Sequence, residues 1–417
     1  MKSDTQANPK TGIDWLILSV GVLSVTYNCI LAFINHNIMP LSTAAIVMSE
    51  GLLMGVSLLF ILRKGIYEED LPVLTYLLLT VVITIYMIVV NRAPFIDYLR
   101  NILIIFCFAL LGKWANRQTM MLTFRICCAV VLIVLIIEMI SVPAYVALFH
   151  PAEYFQNTRG LAPPTYDNSG LFGNALGFQG RFSFGIISHR SSSIFLEQVS
   201  LANFCGVMVM YAICFWDRLK TPERALFILT IVLILVTNNT RTMLIFSIVS
   251  LVGYFIYPLI PKIFDFFLMP LIIVAGFIVH AMKPDATGDN FVGRIVFTVN
   301  KMLGIDFSAI LGLSITHVPE FADSGYVYII YAATIFGLIF FWLFVSFFPA
   351  GQTPNQRRYA HALSLFMFLN LMIGSTAVFS MKTAGLIWLL AGYMKAAQGD
   401  SMFLRAPRIQ TNAQRTL

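Results

Sequence analysis

Runs of apolar residues close to bilayer-spanning length follow one another along most of this chain. A helix needs about 20 such residues to cross the ~30 Å hydrocarbon layer. The pattern therefore predicts twelve membrane-crossing helices, near residues 14–34, 39–62, 72–90, 96–112, 119–142, 191–216, 225–237, 242–260, 263–282, 324–348, 360–381 and 384–396. No segment between these runs has the length and polarity of a soluble domain, so residues 1–417 are predicted to form one all-α, polytopic membrane bundle.

The stretch 225–260 tests this segmentation because it is too long for one crossing. As a single helix it would extend ~54 Å, well beyond the hydrocarbon layer. The polar residues NNTRT at 238–242 interrupt it, so two helices are predicted with a break between them. Irregular backbone at membrane depth is tolerated only where protein or a water-filled cavity surrounds it.

Composition and charge agree with a membrane protein and suggest its orientation. The chain is 59% hydrophobic and 11% charged, with a mean hydropathy of +0.82, which excludes an ordinary soluble protein. The formal charge of +7 could indicate nucleic-acid binding, but the basic residues are spread over short loops, so no nucleic-acid partner is predicted. More than half of them lie on the inner side if both termini do, with 397–417 as a cytoplasmic tail.

Two connections are long, and both face outward in this topology. Residues 143–190 mix glycine, proline and aromatic residues in a way typical of an ordered cap near the membrane. Residues 283–323 include FVGRIVFTVNKMLGIDFSAILGL, which predicts an amphipathic helix along the interface. Loops of this length in a compact protein usually carry function.

Arg190 and Glu197 stand at the entrance to an apolar run, where charged side chains are uncommon. If the run is helical from residue 191, their spacing is two turns, so they share a face and Glu197 lies ~10 Å deeper. An ionisable side chain at that depth is a functional candidate. The alternative is a structural glutamate–arginine pair that locks two helices.

Several arginines lie on the predicted outer side, against the positive-inside trend. A planar guanidinium donates paired hydrogen bonds and stays charged, so it suits phosphate oxygens, and a lipid diphosphate would explain these positions. The alternative is contact with lipid headgroups or loop carboxylates, most readily for Arg92 and Arg100 beside Asp97. The residues are Arg92, Arg100, Arg159, Arg181, Arg190, Arg241 and Arg294.

A histidine near the end of the second long connection could act as a general base. His317 lies close to Glu320 and Asp323, which could orient its ring, and a histidine of near-neutral pKa can take a proton from a sugar hydroxyl. The alternative is an inert loop histidine. His189, beside Arg190, is a second candidate. No outer loop contains D-x-D and no metal-ligand spacing occurs, so neither a metal nor a cofactor is predicted.

Four motifs occur in order over roughly residues 180–345: HRSSSIFLEQVSLANF, LVTNNTRTMLIFSIVSL, GRIVFTVNKMLGID and DSGYVYIIYAATIFGLIFFWLF. In this order and spacing the chain resembles the Wzy-type O-antigen and exopolysaccharide polymerases and the related O-antigen ligases. It departs from the family pattern at Gln198, where proline often follows the glutamate, and at Thr240, where serine often precedes the arginine. These departures leave the subfamily open.

The resemblance implies a GT-C-like membrane glycosyltransferase in a bacterial cytoplasmic (inner) membrane. Its substrate would be an oligosaccharide repeat on undecaprenyl diphosphate at the outer leaflet, used without metal or nucleotide sugar. A chain-length regulator and a flippase are possible partners beside membrane lipids. In this scheme Arg190, Arg241 and Arg294 hold the diphosphate, His317 is the base and Glu197 fixes an arginine. Further substrate contacts would come from Arg159, Arg181 and Asp323.

Two other functions fit the same residues. A ligase that transfers glycan to lipid A core would use similar groups and differ only in its acceptor. A transporter or lipid-linked glycan flippase would need polar groups and discontinuous helices near the midplane, for which Glu50 and the interruption at 238–242 are the candidates.

Overall fold

The computed structural model describes residues 12–164, 167–176, 183–288, 290–321, 323–373 and 376–396. These residues are mostly helical and include no β-strand. The helices are α1 (Trp15–Asn37), α2 (Thr43–Lys64), α3 (Leu71–Asn91), α4 (Asp97–Lys113), α5 (Arg117–Ile140), α6 (Val142–Phe149), α7 (Pro151–Arg159), α8 (Gln198–Phe215), α9 (Thr221–Asn238), α10 (Arg241–Ile256), α11 (Phe264–Met282), α12 (Phe291–Leu303), α13 (Phe307–Ile310), α14 (Gly325–Phe347), α15 (Pro354–Ile373) and α16 (Met381–Ala396).

Nine helices in the described part of the chain are long and apolar enough to cross a membrane: α1, α2, α3, α5, α8, α9, α10, α11 and α14. The protein is thus a multi-pass, all-α membrane bundle. The other three predicted crossings coincide with α4, α15 and α16, of 17, 20 and 16 residues. The count of twelve and the inward position of both termini stay predictions, and the tail 397–417 lies outside the described residues.

The centre of the bundle is formed by helices that are buried on all sides, chiefly α8 and α16. A helix that is apolar around its whole circumference belongs in such a position. Glycines bring α16 unusually close to α4: a Cβ at Gly112 would overlap the carbonyl oxygen of Leu389, and one at Gly392 would overlap that of Ala109. Small residues that allow backbones to approach are typical of membrane helix packing.

The predicted interruption within 225–260 is confirmed. Helix α9 ends at Asn238, and α10 begins at Arg241 after Asn239 has taken a left-handed conformation with φ 56°. The buried Asn238 amide donates hydrogen bonds to the carbonyl oxygens of Ser191 (2.7 Å) and Gln198 (2.8 Å). The Asn238 carbonyl oxygen in turn accepts from Arg190 Nε at 2.9 Å. Side-chain donors therefore satisfy buried carbonyl oxygens both at the break and in the segment before α8, as burial in an apolar layer requires.

The predicted helix over 191–216 begins seven residues later than expected, at Gln198. Residues Ser193–Phe195 form a 3₁₀ turn, and Ser193 and Leu196 have positive φ angles of 47° and 60°. Glu197 itself is extended, with φ −140° and ψ 124°. The prediction that Arg190 and Glu197 share a helical face two turns apart is therefore wrong.

A carboxylate from another helix explains why this segment is not helical. Glu138 of α5 is fully buried and accepts hydrogen bonds from the backbone N–H groups of Ser192 (3.0 Å) and Ser193 (2.7 Å). Ser191 N–H is bonded to the Thr237 carbonyl oxygen at 3.2 Å. Because these groups already have acceptors outside the segment, the backbone can stay irregular while buried.

The two long connections contain short helices that pack on the bundle. The first holds α6 and α7, and the second holds α12, α13 and a 3₁₀ segment, Ile315–Phe321. Helix α12 is amphipathic, with Ile295, Val296 and Val299 buried, as predicted, and it packs against α11 and α15. Its predicted position along the membrane interface stays a prediction.

Candidate functional site

A cavity of about 700 Å³ lies where six helices begin. The first turns of α4, α8, α10, α12, α14 and α16 all contribute residues to its wall, and α15 contributes the residues near its end. Its charged lining residues, within the described chain, are Asp97, Arg100, Arg159, Arg190, Glu197, Arg241, Arg294, Asp323 and Lys382. The six cations exceed the three carboxylates by three formal positive charges.

Helix N-termini make the cavity more favourable for an anion. The first-turn N–H groups of a helix lack intrahelical acceptors and carry the positive end of the helix dipole. At α8 and α10 the residues before the helix, Glu197 and Thr240, make no side-chain cap with their first turns in the described structure. Several converging N-termini with arginines between them are suited to a phosphate-type ligand.

Arg190 is held at the cavity by the irregular segment that precedes α8. Its backbone N–H donates to the Ala175 carbonyl oxygen at 2.7 Å, and its Nε donates to the Asn238 carbonyl oxygen at 2.9 Å. One edge of the guanidinium is therefore engaged by the end of α9. This contact fixes the direction of the side chain, which is half-buried in the cavity wall.

Glu197 joins two cations from distant parts of the chain. One carboxylate oxygen, Oε2, lies 3.5 Å from Lys382 Nζ and 3.9 Å from an Arg159 Nη, and it accepts from the Ser200 hydroxyl at 3.3 Å. Burial acts to raise the pKa of Glu197, but Lys382 and Arg159 outweigh it and hold the pKa below its ordinary value. Glu197 is therefore an ionised anchor, and its arginine partner is Arg159 rather than Arg190.

The remaining cavity arginines come from three other elements. Arg294 of α12 pairs with Asp323 at 3.5 Å, and Arg241 opens α10. Arg100 lies 4.0 Å from both Asp97 and Glu50, in line with the alternative of a carboxylate contact. Arg92, by contrast, ends α3 in a left-handed conformation and does not line the cavity.

The two candidate histidines lie elsewhere. His317 has a 55% exposed side chain, its Nδ1 is 3.0 Å from Glu320, and it does not belong to the cavity lining, whereas its neighbour Val318 does. Its role as a base stays a prediction. His189 is 6% exposed, and its Nε2 lies 3.2 Å from Glu138. His189 is therefore a buried packing residue that precedes Arg190 in the chain. Arg181 lies outside the described residues.

Lys382 was missed as a site residue because its position was predicted to be a short outer loop between two crossings. It belongs instead to the first turn of α16 and is 2% exposed. A lysine in the otherwise apolar stretch VFSMKTAGLIWLL was the available signal, because an intramembrane ionisable residue is a functional candidate by default. Glu138 carried the same signal, and its structural role depended on contacts that sequence spacing does not reveal.

These features define a class: a multi-pass helical membrane protein with a cationic cavity at converging helix N-termini. Searches against protein-family models, curated proteins and solved structures found no match. The function must therefore be inferred from the cavity itself.

Proposed function

We propose that this protein is a metal-independent membrane glycosyltransferase that polymerises undecaprenyl-diphosphate-linked oligosaccharide repeats at the outer face of the bacterial cytoplasmic membrane. One observation carries the proposal. Arg159, Arg190, Arg241 and Arg294 are separated widely in the chain, yet all four line one cavity. They belong to the arginines whose outer positions suggested a lipid diphosphate.

The charge of the cavity suits a diphosphate ester. Arg190, Arg241 and Arg294 would donate to its oxygens, and the first turns of α8 and α10 would add backbone N–H groups. When the bond from sugar to diphosphate breaks, negative charge builds on the departing oxygen. Donors held in place before the reaction stabilise that charge, and such electrostatic stabilisation usually contributes most to catalysis of this kind.

The uncharged part of the cavity suits a saccharide. A volume of about 700 Å³ falls in the range of ligand sites and can hold a diphosphate with adjoining sugar residues. Hydroxyl and amide groups in the wall can exchange hydrogen bonds with sugar hydroxyls. The neutral polar lining residues include Asn101, Asn174, Gln198, Ser200, Asn203, Asn239, Thr240, Thr242, Asn290, Tyr328, Asn370, Thr376 and Ser380.

The proposed step is a displacement at the anomeric carbon. A hydroxyl of the acceptor repeat attacks that carbon, its bond to the diphosphate oxygen breaks, and the diphosphate leaves with the electron pair. The hydroxyl proton passes to a base, for which we propose His317. Because His317 is exposed and paired with Glu320, the turn Ile315–Phe321 would have to rearrange on substrate binding.

Transport is the second candidate function, and one observation favours it. Helix α14 is interrupted at Ala333 and Thr334, both buried, and Thr334 has a φ of 64°. Discontinuous helices are common in transporters. A ligase is the nearest enzymatic alternative, since it would use the same diphosphate site with a different acceptor.

A glycan profile from cells lacking the gene separates these functions. Cells are complemented with wild type, with Arg190→Ala, or with Arg92→Ala, which removes an arginine outside the cavity lining. The proposal expects single lipid-linked repeats to accumulate in the deletion and in Arg190→Ala, and polymer to return with wild type and Arg92→Ala. Full-length polymer trapped on its carrier would identify a ligase, and repeats stranded in the inner leaflet would identify a flippase.

A further inference from the structure

A second, smaller cavity adjoins the first. Its volume is about 360 Å³, and it shares two residues, Arg294 and Asp323, with the large cavity. The ion pair between these residues, at 3.5 Å, therefore stands at the junction of the two spaces. The other lining residues in the described chain are Ala286, Thr287, Gly288, Gly293, Phe297 and Asn300.

Helix α12 builds one wall of the second cavity. Gly293, Phe297 and Asn300 follow at spacings of four and three, so they lie along one face of the helix, and Arg294 is beside them. A Cβ at Gly293 would lie 2.5 Å from the Gly288 carbonyl oxygen, so glycine allows the turn to rest against the helix. Asn300 Oδ1 lies 2.7 Å from His280 Nε2, which fixes the amide.

The second cavity differs in character from the first. Apart from the shared ion pair its wall is uncharged, with one hydroxyl, one amide and one partly exposed aromatic ring, at Thr287, Asn300 and Phe297. The hydroxyl and the amide can exchange hydrogen bonds with sugar hydroxyls, and the aromatic ring can lie against the C–H groups of a sugar. This combination suits a saccharide. An acyl chain would remove the amide and the ion pair from water without replacing their hydrogen bonds, at a substantial cost.

We propose that the second cavity binds the uncharged saccharide of the acceptor, while the first holds the donor diphosphate. This inference rests on the proposed function. At the junction, Asp323 accepts a hydrogen bond from a hydroxyl of the acceptor other than the one that attacks, and Arg294 donates to the diphosphate. A transferase needs its two substrates to meet in a fixed orientation, and an ion pair shared by two cavities provides such a point.

The test uses a radiolabelled oligosaccharide released from the lipid-linked repeat by mild acid. Membranes containing the full chain receive this soluble acceptor together with lipid-linked donor extracted from the deletion strain. Ala286→Trp is designed to fill the second cavity, and Ala286→Ser is its matched control. We expect Ala286→Trp to raise the acceptor KM at least about tenfold, with inhibition by inorganic diphosphate changed less than about twofold.

Further variants and a direct binding measurement guard against a folding defect. Phe297→Ala and Asn300→Ala should each raise the acceptor KM by about five- to tenfold. Saturation-transfer NMR should show oligosaccharide binding to the purified wild type and Arg190→Ala but not to monodisperse Ala286→Trp. Unchanged KM and binding in all three cavity variants, with transfer abolished by Arg190→Ala, would overturn the acceptor site and leave the proposed function standing. Absence of any transfer by wild type would instead remove the proposed function.

Discussion

Replacing Glu138 by alanine should destabilise the protein and displace Arg190. This carboxylate is fully buried and accepts from two backbone N–H groups, those of Ser192 and Ser193, while His189 Nε2 lies 3.2 Å from Oε1, the oxygen that also accepts from Ser192. Alanine leaves both N–H groups buried without their acceptor. The irregular segment that carries Arg190 would then lose these hydrogen bonds to α5 and keep the one from Ser193 Oγ to the Val131 carbonyl oxygen, at 2.8 Å.

The expected loss can be worked from these contacts. A buried donor left without an acceptor costs about 1–3 kcal/mol, so two of them should lower the free energy of unfolding by about 2–6 kcal/mol. Glu138→Gln keeps one carbonyl oxygen and should lose about half as much. Because the segment sets the position of Arg190, binding of inorganic diphosphate should weaken along with stability.

The assay is the unfolding free energy of the purified protein in mixed micelles of mild detergent and dodecyl sulfate. Glu68→Ala is the matched control, since Glu68 is an exposed carboxylate in the turn before α3, away from the segment that carries Arg190. Its unfolding free energy should stay within about 0.5 kcal/mol of wild type. An equally small effect of Glu138→Ala would refute the role assigned to this carboxylate.

Three further predictions concern Lys382 and Glu197 in the cavity wall and His317 outside it. Lys382→Met should weaken binding of inorganic diphosphate by about tenfold, whereas Lys301→Met should not, and equal affinities in the two variants would remove Lys382 from the site. The pKa of Glu197 is lower in the folded protein than in the unfolded chain, so its contribution to stability is present at neutral pH and is lost as the pH falls below the ordinary glutamate range. As the pH is lowered through this acid range, the free energy of unfolding of Glu197→Gln should therefore fall less than that of wild type. Equal falls in the two proteins would contradict this account. His317→Gln should lower the transfer rate by about 10²- to 10⁴-fold while diphosphate binding stays unchanged, and a rate near that of wild type would exclude His317 as the base.

Hydropathy predicted the helices of the bundle, because whether a segment forms an apolar membrane helix depends on the composition of that segment alone. Each of the twelve apolar runs contains a helix, and the polar turn at 238–242 does separate α9 from α10. The outer arginines could also be recognised, since they depart from the usual charge asymmetry of membrane proteins. Five of them do meet at one cavity, although the order of residues alone could not bring α4, α7, α10 and α12 together.

The errors arose where distant residues decide local structure. The segment before α8 has the composition of a helix, yet Glu138 takes the N–H groups of Ser192 and Ser193 and holds it irregular from 54 residues away. The partners of Glu197 are likewise remote: Arg159 and Lys382, the latter 185 residues away. Such contacts exist only in the folded bundle, so spacing along the chain suggested a face shared with Arg190 and could not identify Arg159 and Lys382 as the partners of Glu197.

The central claim is that the arginine-lined cavity transfers a glycan from a lipid diphosphate. It is tested most directly with the purified chain in liposomes, supplied only with lipid-linked repeat from the deletion strain, in the presence of a metal chelator. We predict glycan chains longer than one repeat and release of the lipid diphosphate with wild type, and neither product with Arg190→Ala. Lipid-linked repeats that cross the bilayer without being joined would contradict the claim.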